Sequence, residues 1–276
     1  MIELRFKKER KLLILLGTLL VSACSSKGSS QPIHPSFSFT LETLTPLVQT
    51  AGEDTLLKVK QNPNRFLDLL ALVLTGDREL IRLVDKKNPL PQDYEPKDLV
   101  SLERYNIRTS RPGLVLRQEA ALALSEMSKA AKAEGIELVA SSTYRSFEYQ
   151  KIVNERVVRQ IGQEAADRES AKPGHSQHQL GTAVDFGSIS DAFTGTPMEV
   201  WLRRRAWEFG FSLSYPEGKE TETGYRHESW HYRYIGKEAI QLEKEFFHNS
   251  QQKMLEFFHN NWESLLGGLK SFSLKK

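Results

Sequence analysis

Residues 173–185 read PGHSQHQLGTAVD, and they place two of the chain's seven histidines three positions apart with an aspartate closing the run. Catalytic zinc sites draw three ligands from His and Asp/Glu, leave a position for water, and keep a carboxylate nearby to manage that water's proton. His178 and Asp185 suit the first two ligand positions. Gly181 between them lets the chain bend back, and small Thr182 and Ala183 leave room for close approach. A second short run, HESWH at 227–231, supplies Glu228 and His231. Three residues apart on a regular strand they would face opposite ways, so a turn or bulge must bring both to the metal.

The elements around these runs define the fold class. RQEAALALSEMSKAAKAEG (117–135) predicts an amphipathic helix stopped by Gly135, and IELVASS (136–142) a short buried strand. Residues 145–163 read as helix, TAVDFG (182–187) as strand, MEVWLRRRAWEFGF (198–211) as helix and SWHYRYIG (229–236) as an aromatic strand. This irregular alternation predicts an α+β domain with a small antiparallel sheet and flanking helices, not a doubly wound parallel sheet. Upstream, residues 64–86 place Phe66, Leu69, Leu70, Val73 and Leu74 at helical spacing before a break at Gly76 and Asp77. NPLPQDYEP (88–96) cannot continue a helix. Downstream, KEFFHNSQQKM (244–254) is repeated as LEFFHNNWESL (255–265). The eleven-residue period predicts one helix with both Phe-Phe pairs on a single face, packed on the domain or offered to a partner or membrane surface.

The start of the chain is a separate object. Basic RFKKERK (5–11) precedes ten apolar residues, LLILLGTLLV (12–21), too few to span a bilayer but the size of a signal-peptide core. VSAC (21–24) follows, and Cys24 is the only cysteine, which rules out a disulfide within the chain. Without residues 1–23 the chain carries 33 basic and 33 acidic residues, so the basic overall balance is no argument for nucleic-acid binding. VSAC resembles the lipobox of bacterial lipoproteins, which implies export, cleavage before Cys24 and lipidation of its thiol. The expected organisation is a signal peptide (1–23), a Ser/Pro/Gly-rich tether (24–39), a helical segment (40–87), the zinc domain (88–240) and an amphipathic C-terminal helix (241–276).

SQHQLGTAVD resembles the S-x-H-x-x-G-x-A-x-D motif, and ESWH the E-x-W-H motif, of the VanY-like zinc D-alanyl-D-alanine carboxypeptidases, relatives of lysostaphin-type endopeptidases and the hedgehog domain. NPLPQDYEPKDLV, STYRSFEYQ, YPEGKE and TGYRHESWHYRYIG extend the likeness, in family order, over roughly residues 81–240. The resemblance implies that His178, Asp185 and His231 bind Zn²⁺. Glu228 would take a proton from the attacking water and pass it to the leaving amine. Arg145 would contact the substrate's developing oxyanion or terminal carboxylate, with Gln150, Ser142, Ser176 and His175 as companion contacts. A fourth protein ligand would close the water position, so His175 is not expected on the metal. Thr143 stands where the family often has Gly and could narrow the pocket. Trp230 reads as a packing wall beside His231, and His34, His227, His248 and His259 have no motif partner. The implied activity is removal of a terminal D-alanine from peptidoglycan stem peptides by an exported, membrane-anchored monomer. L,D-cleavage, cross-link endopeptidase activity and a non-catalytic zinc-holding binding module stand as alternatives.

Overall fold

The computed structural model describes residues 31–270; Cys24 and its flanking sequence lie outside them. Three helices open the described chain: α1 (Leu41–Gln49), α2 (Glu53–Gln61) and α3 (Pro63–Thr75). Thr40 starts α1 through a reciprocal capping box with Thr43, and a proline occupies the first turn of α3, where its missing N–H costs nothing. A hairpin of β1 (Leu99–Ser101) and β2 (Val115–Arg117) leads into α4 (Gln118–Ala133). Then follow β3 (Ala140–Ser142), α5 (Phe147–Ile161), α6 (Gln163–Glu169), β4 (Ala183–Phe186), α7 (Pro197–Arg205), β5 (Phe211–Leu213), α8 (Glu220–Thr223), β6 (His231–Tyr234), α9 (Lys237–Phe246) and α10 (Gln251–Gly268).

The main sheet is antiparallel throughout, in the order β3-β4-β6-β5. Period-two alternation gives it two distinct faces. Val184, Phe186, Tyr232 and Tyr234 join the apolar core with Leu124 of α4 and Trp201 and Leu202 of α7. Asp185 and His231, on the opposite parity, turn to the other face, where the loop from α6 to β4 covers them. The α+β expectation therefore holds.

A second core joins the two ends of the chain. Phe66 of α3 packs edge-on against Phe246 of α9 at 5.2 Å and Phe257 of α10 at 6.1 Å, within one buried cluster that spans α1, α2, α3, α9 and α10. The predicted single C-terminal helix is instead two. His248 and Asn249 adopt left-handed backbone (φ 55° and 56°), and Ser250 recaps the chain by accepting from the Lys253 amide. The Phe-Phe pairs thus share a core rather than one helix face, and all four phenylalanines are buried. Burying four such rings accounts for the aromatic repeat without an external partner.

Two further boundaries moved. The helix expected over 198–211 is α-helical only to Arg205 and tightens into a 3-10 turn, Ala206–Phe209, which Gly210 ends by turning left-handed (φ 83°) to feed β5; a Cβ there would come within 2.7 Å of the Tyr234 ring. The helix expected over 145–163 begins at Phe147, where the Ser146 side chain accepts from the Tyr149 amide.

Candidate metal centre

His178 sits on a single 3-10 turn, Gln177–Leu180, whose start is capped by Ser176 Oγ accepting from the His178 amide at 3.3 Å. Gly181 ends that turn at φ 71°, packed so closely that an added Cβ would lie 3.0 Å from Leu99 Cδ2. Any other residue there would be strained twice over, once by φ and once by contact. The chain then enters β4, which delivers Asp185. The expected turn between Glu228 and His231 is present: the His231 amide donates to the Glu228 carbonyl at 3.2 Å, and β6 starts at His231 itself.

His178 Nε2 lies 3.1 Å from Asp185 Oδ2, and His231 Nδ1 lies 3.0 Å from Asp185 Oδ1. One potential ligand atom of each residue falls within 4.8 Å of the others, and all three residues are buried. Neither close contact is a hydrogen bond of the ordinary kind. His178 Nδ1 is 2.7 Å from the Thr143 carbonyl, which only accepts, so Nδ1 carries the proton and Nε2 turns a lone pair toward the carboxylate. On His231, Nε2 is 3.2 Å from Gln177 Oε1, an acceptor, so in the neutral ring that a metal requires the proton sits on Nε2 and the lone pair on Nδ1. Among the described residues, His178 Nε2 and Asp185 Oδ1 have no hydrogen-bond partner. Two lone pairs and a carboxylate buried face to face repel one another, and a cation between them removes the repulsion. A tetrahedral ion with ligands at about 2.0–2.2 Å holds them a little over 3 Å apart, close to the spacing found. Burial, with help from Arg145, lowers the His178 pKa to about 4, so the imidazole is neutral at pH 7 as a ligand must be.

Glu228 completes the constellation, with Oε2 3.6 Å from His231 Nδ1. Burial first, and then the Asp185 charge, push its carboxyl up to about 8 against the opposing pull of Arg145 and Arg226. Arg145 donates its backbone N–H to the His178 carbonyl at 3.2 Å. Burial lowers its pKa while the charges of Asp185 and Glu228 oppose that, and its Nε has no partner among the described residues. Both groups open onto a cleft of about 230 Å³, together with Gln150, Ser176, His178, Asp185 and His231. Gln150 is anchored by donating Nε2 to the Ala171 carbonyl at 2.7 Å, which leaves its Oε1 without a partner among the described residues.

Not every expected contact reaches this cleft. Ser142 is buried in β3 as the register partner of Asp185, and its side chain is absent from the cleft wall. His175 lines an adjoining pocket with Lys86 and Lys172, its Nδ1 2.8 Å from the Asp85 carbonyl, so it meets neither the metal cluster nor the main cleft. Thr143 supports His178 through its backbone, and its side chain does not narrow the opening. Trp230 is buried and forms part of the wall, with the Arg226 guanidinium 5.4 Å from its ring. Sequence reasoning passed over Tyr215, Tyr225 and Arg226, which also line the cleft. Tyr215 packs its ring 4.8 Å from His231 and 5.1 Å from Tyr225. These residues lie in the quoted runs YPEGKE and TGYRHESWHYRYIG, but nothing in those runs told a wall residue from a strand residue.

Comparison with known proteins agrees with this geometry. Residues 113–237, which contain His178, Asp185, Glu228 and His231, match the family described as VanY, D-alanyl-D-alanine carboxypeptidase. The chain is 38% identical over 176 residues to the putative carboxypeptidase YodJ of Bacillus subtilis, covering 61% of this chain and 64% of that protein, so it spans just under two thirds of this curated relative's length. Among solved structures it is similar to the LdcB LD-carboxypeptidase, at 36% identity and a TM-score of 0.59, covering 64% of this chain and 86% of the other. It is also similar to a vancomycin-resistance D,D-pentapeptidase, VanY, solved in complex with Zn(II), at 30% identity and a TM-score of 0.55 over 64% of this chain and 99% of the other. By these matches the chain belongs to the VanY family of D-alanyl-D-alanine carboxypeptidases.

Proposed function

We propose that this chain is a zinc-dependent carboxypeptidase that removes the terminal D-alanine from peptidoglycan stem peptides. The observation that carries the reading is the convergence of three buried acceptor-only groups, His178 Nε2, Asp185 and His231 Nδ1, beside Glu228 at the floor of an open cleft. The relative solved with Zn(II) supports zinc as the ion. When bound, zinc acts as a Lewis acid toward the scissile carbonyl and makes water more acidic.

The chain's own residues do the rest. Glu228 is pushed up largely by burial and by the charge of Asp185, and a cation held by Asp185 offsets that second push, favouring the carboxylate form a base requires. Its Oε2 accepts a proton from the attacking water and returns it to the leaving amine nitrogen. Arg145 presents N–H donors to the cleft from a partly desolvated position, suited to the developing oxyanion or to the substrate's terminal carboxylate. Val153, Val157 and Ile189 supply an apolar wall on which a small alkyl side chain can rest.

Export and anchoring through Cys24 complete the proposal, supported by the basic and apolar run before VSAC and by the need for such an enzyme to meet extracytoplasmic substrate. Among residues 31–270 no helix is long and apolar enough to cross a membrane. L,D-cleavage of a tetrapeptide is the second reading, because the LdcB LD-carboxypeptidase matches at 36% identity against 30% for VanY. Mass spectrometry of synthetic pentapeptide and tetrapeptide stems incubated with the purified full chain, with and without a chelator, separates them. Chelator-sensitive loss of one alanine from the pentapeptide alone establishes D,D-cleavage, and loss from the tetrapeptide establishes L,D-cleavage. A zinc-loaded, folded chain that cuts neither overturns the carboxypeptidase reading.

A further inference from the structure

The metal cluster rests on a helix that lies outside the family-matched segment. Gln251 and Gln252 open α10, yet only 3% and 7% of their surfaces are exposed; Gln251 is held through its acceptor end alone, since its Nε2 is buried without a partner among the described residues. Gln251 Oε1 accepts from Gln177 Nε2 at 3.3 Å and is also 3.2 Å from Ser214 Oγ. Gln177 Oε1 in turn is 2.7 Å from Ser214 Oγ and 3.2 Å from His231 Nε2. Gln252, one position on, donates to Asp85 Oδ2 at 2.8 Å, so the first turn of α10 is held at two points behind the cleft.

The order of these contacts has a directional consequence. An amide has one donor end and one acceptor end. With its nitrogen committed to Gln251, Gln177 can present only its carbonyl oxygen to His231. An acceptor at Nε2 holds the proton there, and the lone pair on Nδ1 is then the one aimed at Asp185. If Gln177 turned over, its nitrogen would face Nε2, the ring proton would move to Nδ1, and the ligand atom would be blocked. Hydrogen bonds to the far nitrogen of a metal-binding imidazole tune ligand orientation and affinity in this way.

We propose that Gln251 is a positioning residue of the metal centre: acting through Gln177, it selects the His231 tautomer that leaves Nδ1 free to bind the ion. The inference rests on the metal-centre reading above, and the experiment keeps the two separate. Zinc affinity is measured by competition with a fluorescent chelator for the full chain, Gln251→Met, Gln177→Met and the double variant. Methionine keeps the volume of glutamine and removes both ends of the amide. Gln177→Met is expected to weaken zinc binding about 10- to 100-fold, the usual cost of losing such support. Gln251→Met, one bond further out, is expected to weaken it about 3- to 10-fold, and the double variant to bind no more weakly than Gln177→Met alone. Leu265→Ala, in the same helix and fully buried, is the control for structural damage, lowering the melting temperature with affinity unchanged. Should Gln251→Met fail to fold, Gln251→Asn, which withdraws the amide by one methylene, is expected to give the same loss. A parent chain that binds no zinc sinks the metal reading itself. A parent that binds one zinc while Gln251→Met binds it within twofold, or an equal loss from Gln251→Met with and without Gln177, overturns the relay alone.

Discussion

Asp185 and His231 are direct cross-strand partners of β4 and β6, and Asp185 Oδ1 lies 3.0 Å from His231 Nδ1. The ladder register therefore sets the spacing of two expected ligands, and a slip of one residue would move either to the opposite face of the sheet. What sheet pairing leaves unsolved is the charge: a buried carboxylate facing lone pairs needs a cation. Zinc is therefore expected to stabilise the chain by about 2.7 kcal/mol at a hundredfold excess over Kd, and so to raise its melting temperature. Asp185→Asn is expected to abolish that zinc-dependent shift and yet melt no lower than the chelated parent, since its amide can donate to a bare imidazole nitrogen. Melting curves with zinc and with chelator check both halves; an undiminished zinc shift in Asp185→Asn would remove Asp185 from the ligand set.

Glu228 stands close to the cluster without being needed to hold the ion, since the three buried groups already supply the ligands. Glu228→Gln keeps the shape and the neutral hydrogen-bonding capacity but cannot take a proton. Its expected phenotype is one zinc per chain with kcat reduced about 10²- to 10⁴-fold. Metal analysis beside a D-alanine release assay measures both, and a variant that lost zinc in step with activity would reassign Glu228 from base to ligand.

Arg145 separates charge from shape. Arg145→Lys retains the cation but gives up the planar fork that meets a carboxylate or oxyanion with two donors. Hydrogen bonds to charged groups contribute about 1.5–3 kcal/mol, so kcat/KM is expected to fall about 10- to 100-fold. If Arg145 grips the terminal carboxylate equally in ground and transition states, the loss appears in KM; if it meets the oxyanion, it appears in kcat. Unchanged kcat/KM in the lysine variant would remove the bidentate role.

The metal residues were legible because chemistry restricts them to few residue types, and because Gly181 and the turn before His231 are demanded by local geometry. The sheet was legible where apolar and aromatic runs were long enough to show a period. The β1–β2 hairpin has three residues per strand, too few for alternation to register. The break between α9 and α10 depended on His248 and Asn249 adopting left-handed backbone, which asparagine tolerates but does not announce. Gln251 was invisible for another reason. Its role comes from packing between residues 74 positions apart in the chain, Gln177 and Gln251, and no local pattern carries a contact of that separation. His175, three residues before His178, shows how motif spacing leaves placement open: the fold spends its Nδ1 on the Asp85 carbonyl and sets the ring in the adjoining pocket.

Glu243 gives the fold a pH dependence separate from catalysis. It lies on α9, 4% exposed, with Oε1 accepting from Ser212 Oγ at 3.0 Å and Oε2 without a partner among the described residues. Burial pushes its carboxyl from 4.5 up to about 7, against the Ser212 hydrogen bond and the Lys244 charge. The folded chain thus holds this proton more tightly than the unfolded chain, and unfolding below pH 4.5 carries no penalty from releasing it. As pH rises from about 4.5 to about 7 the unfolded state ionises first, and stability is lost across that window, up to about 3 kcal/mol. Glu243→Gln cannot ionise and keeps an acceptor for Ser212. It is expected to lose less stability than the parent between pH 5 and pH 8, and to exceed the parent at pH 8. Urea unfolding of both chains in chelator at the two pH values makes the comparison with the metal removed from each. If the parent lost no more stability than Glu243→Gln over that interval, Glu243 would have to be charged in the fold at pH 5, and a counter-charge would have to reach Oε2.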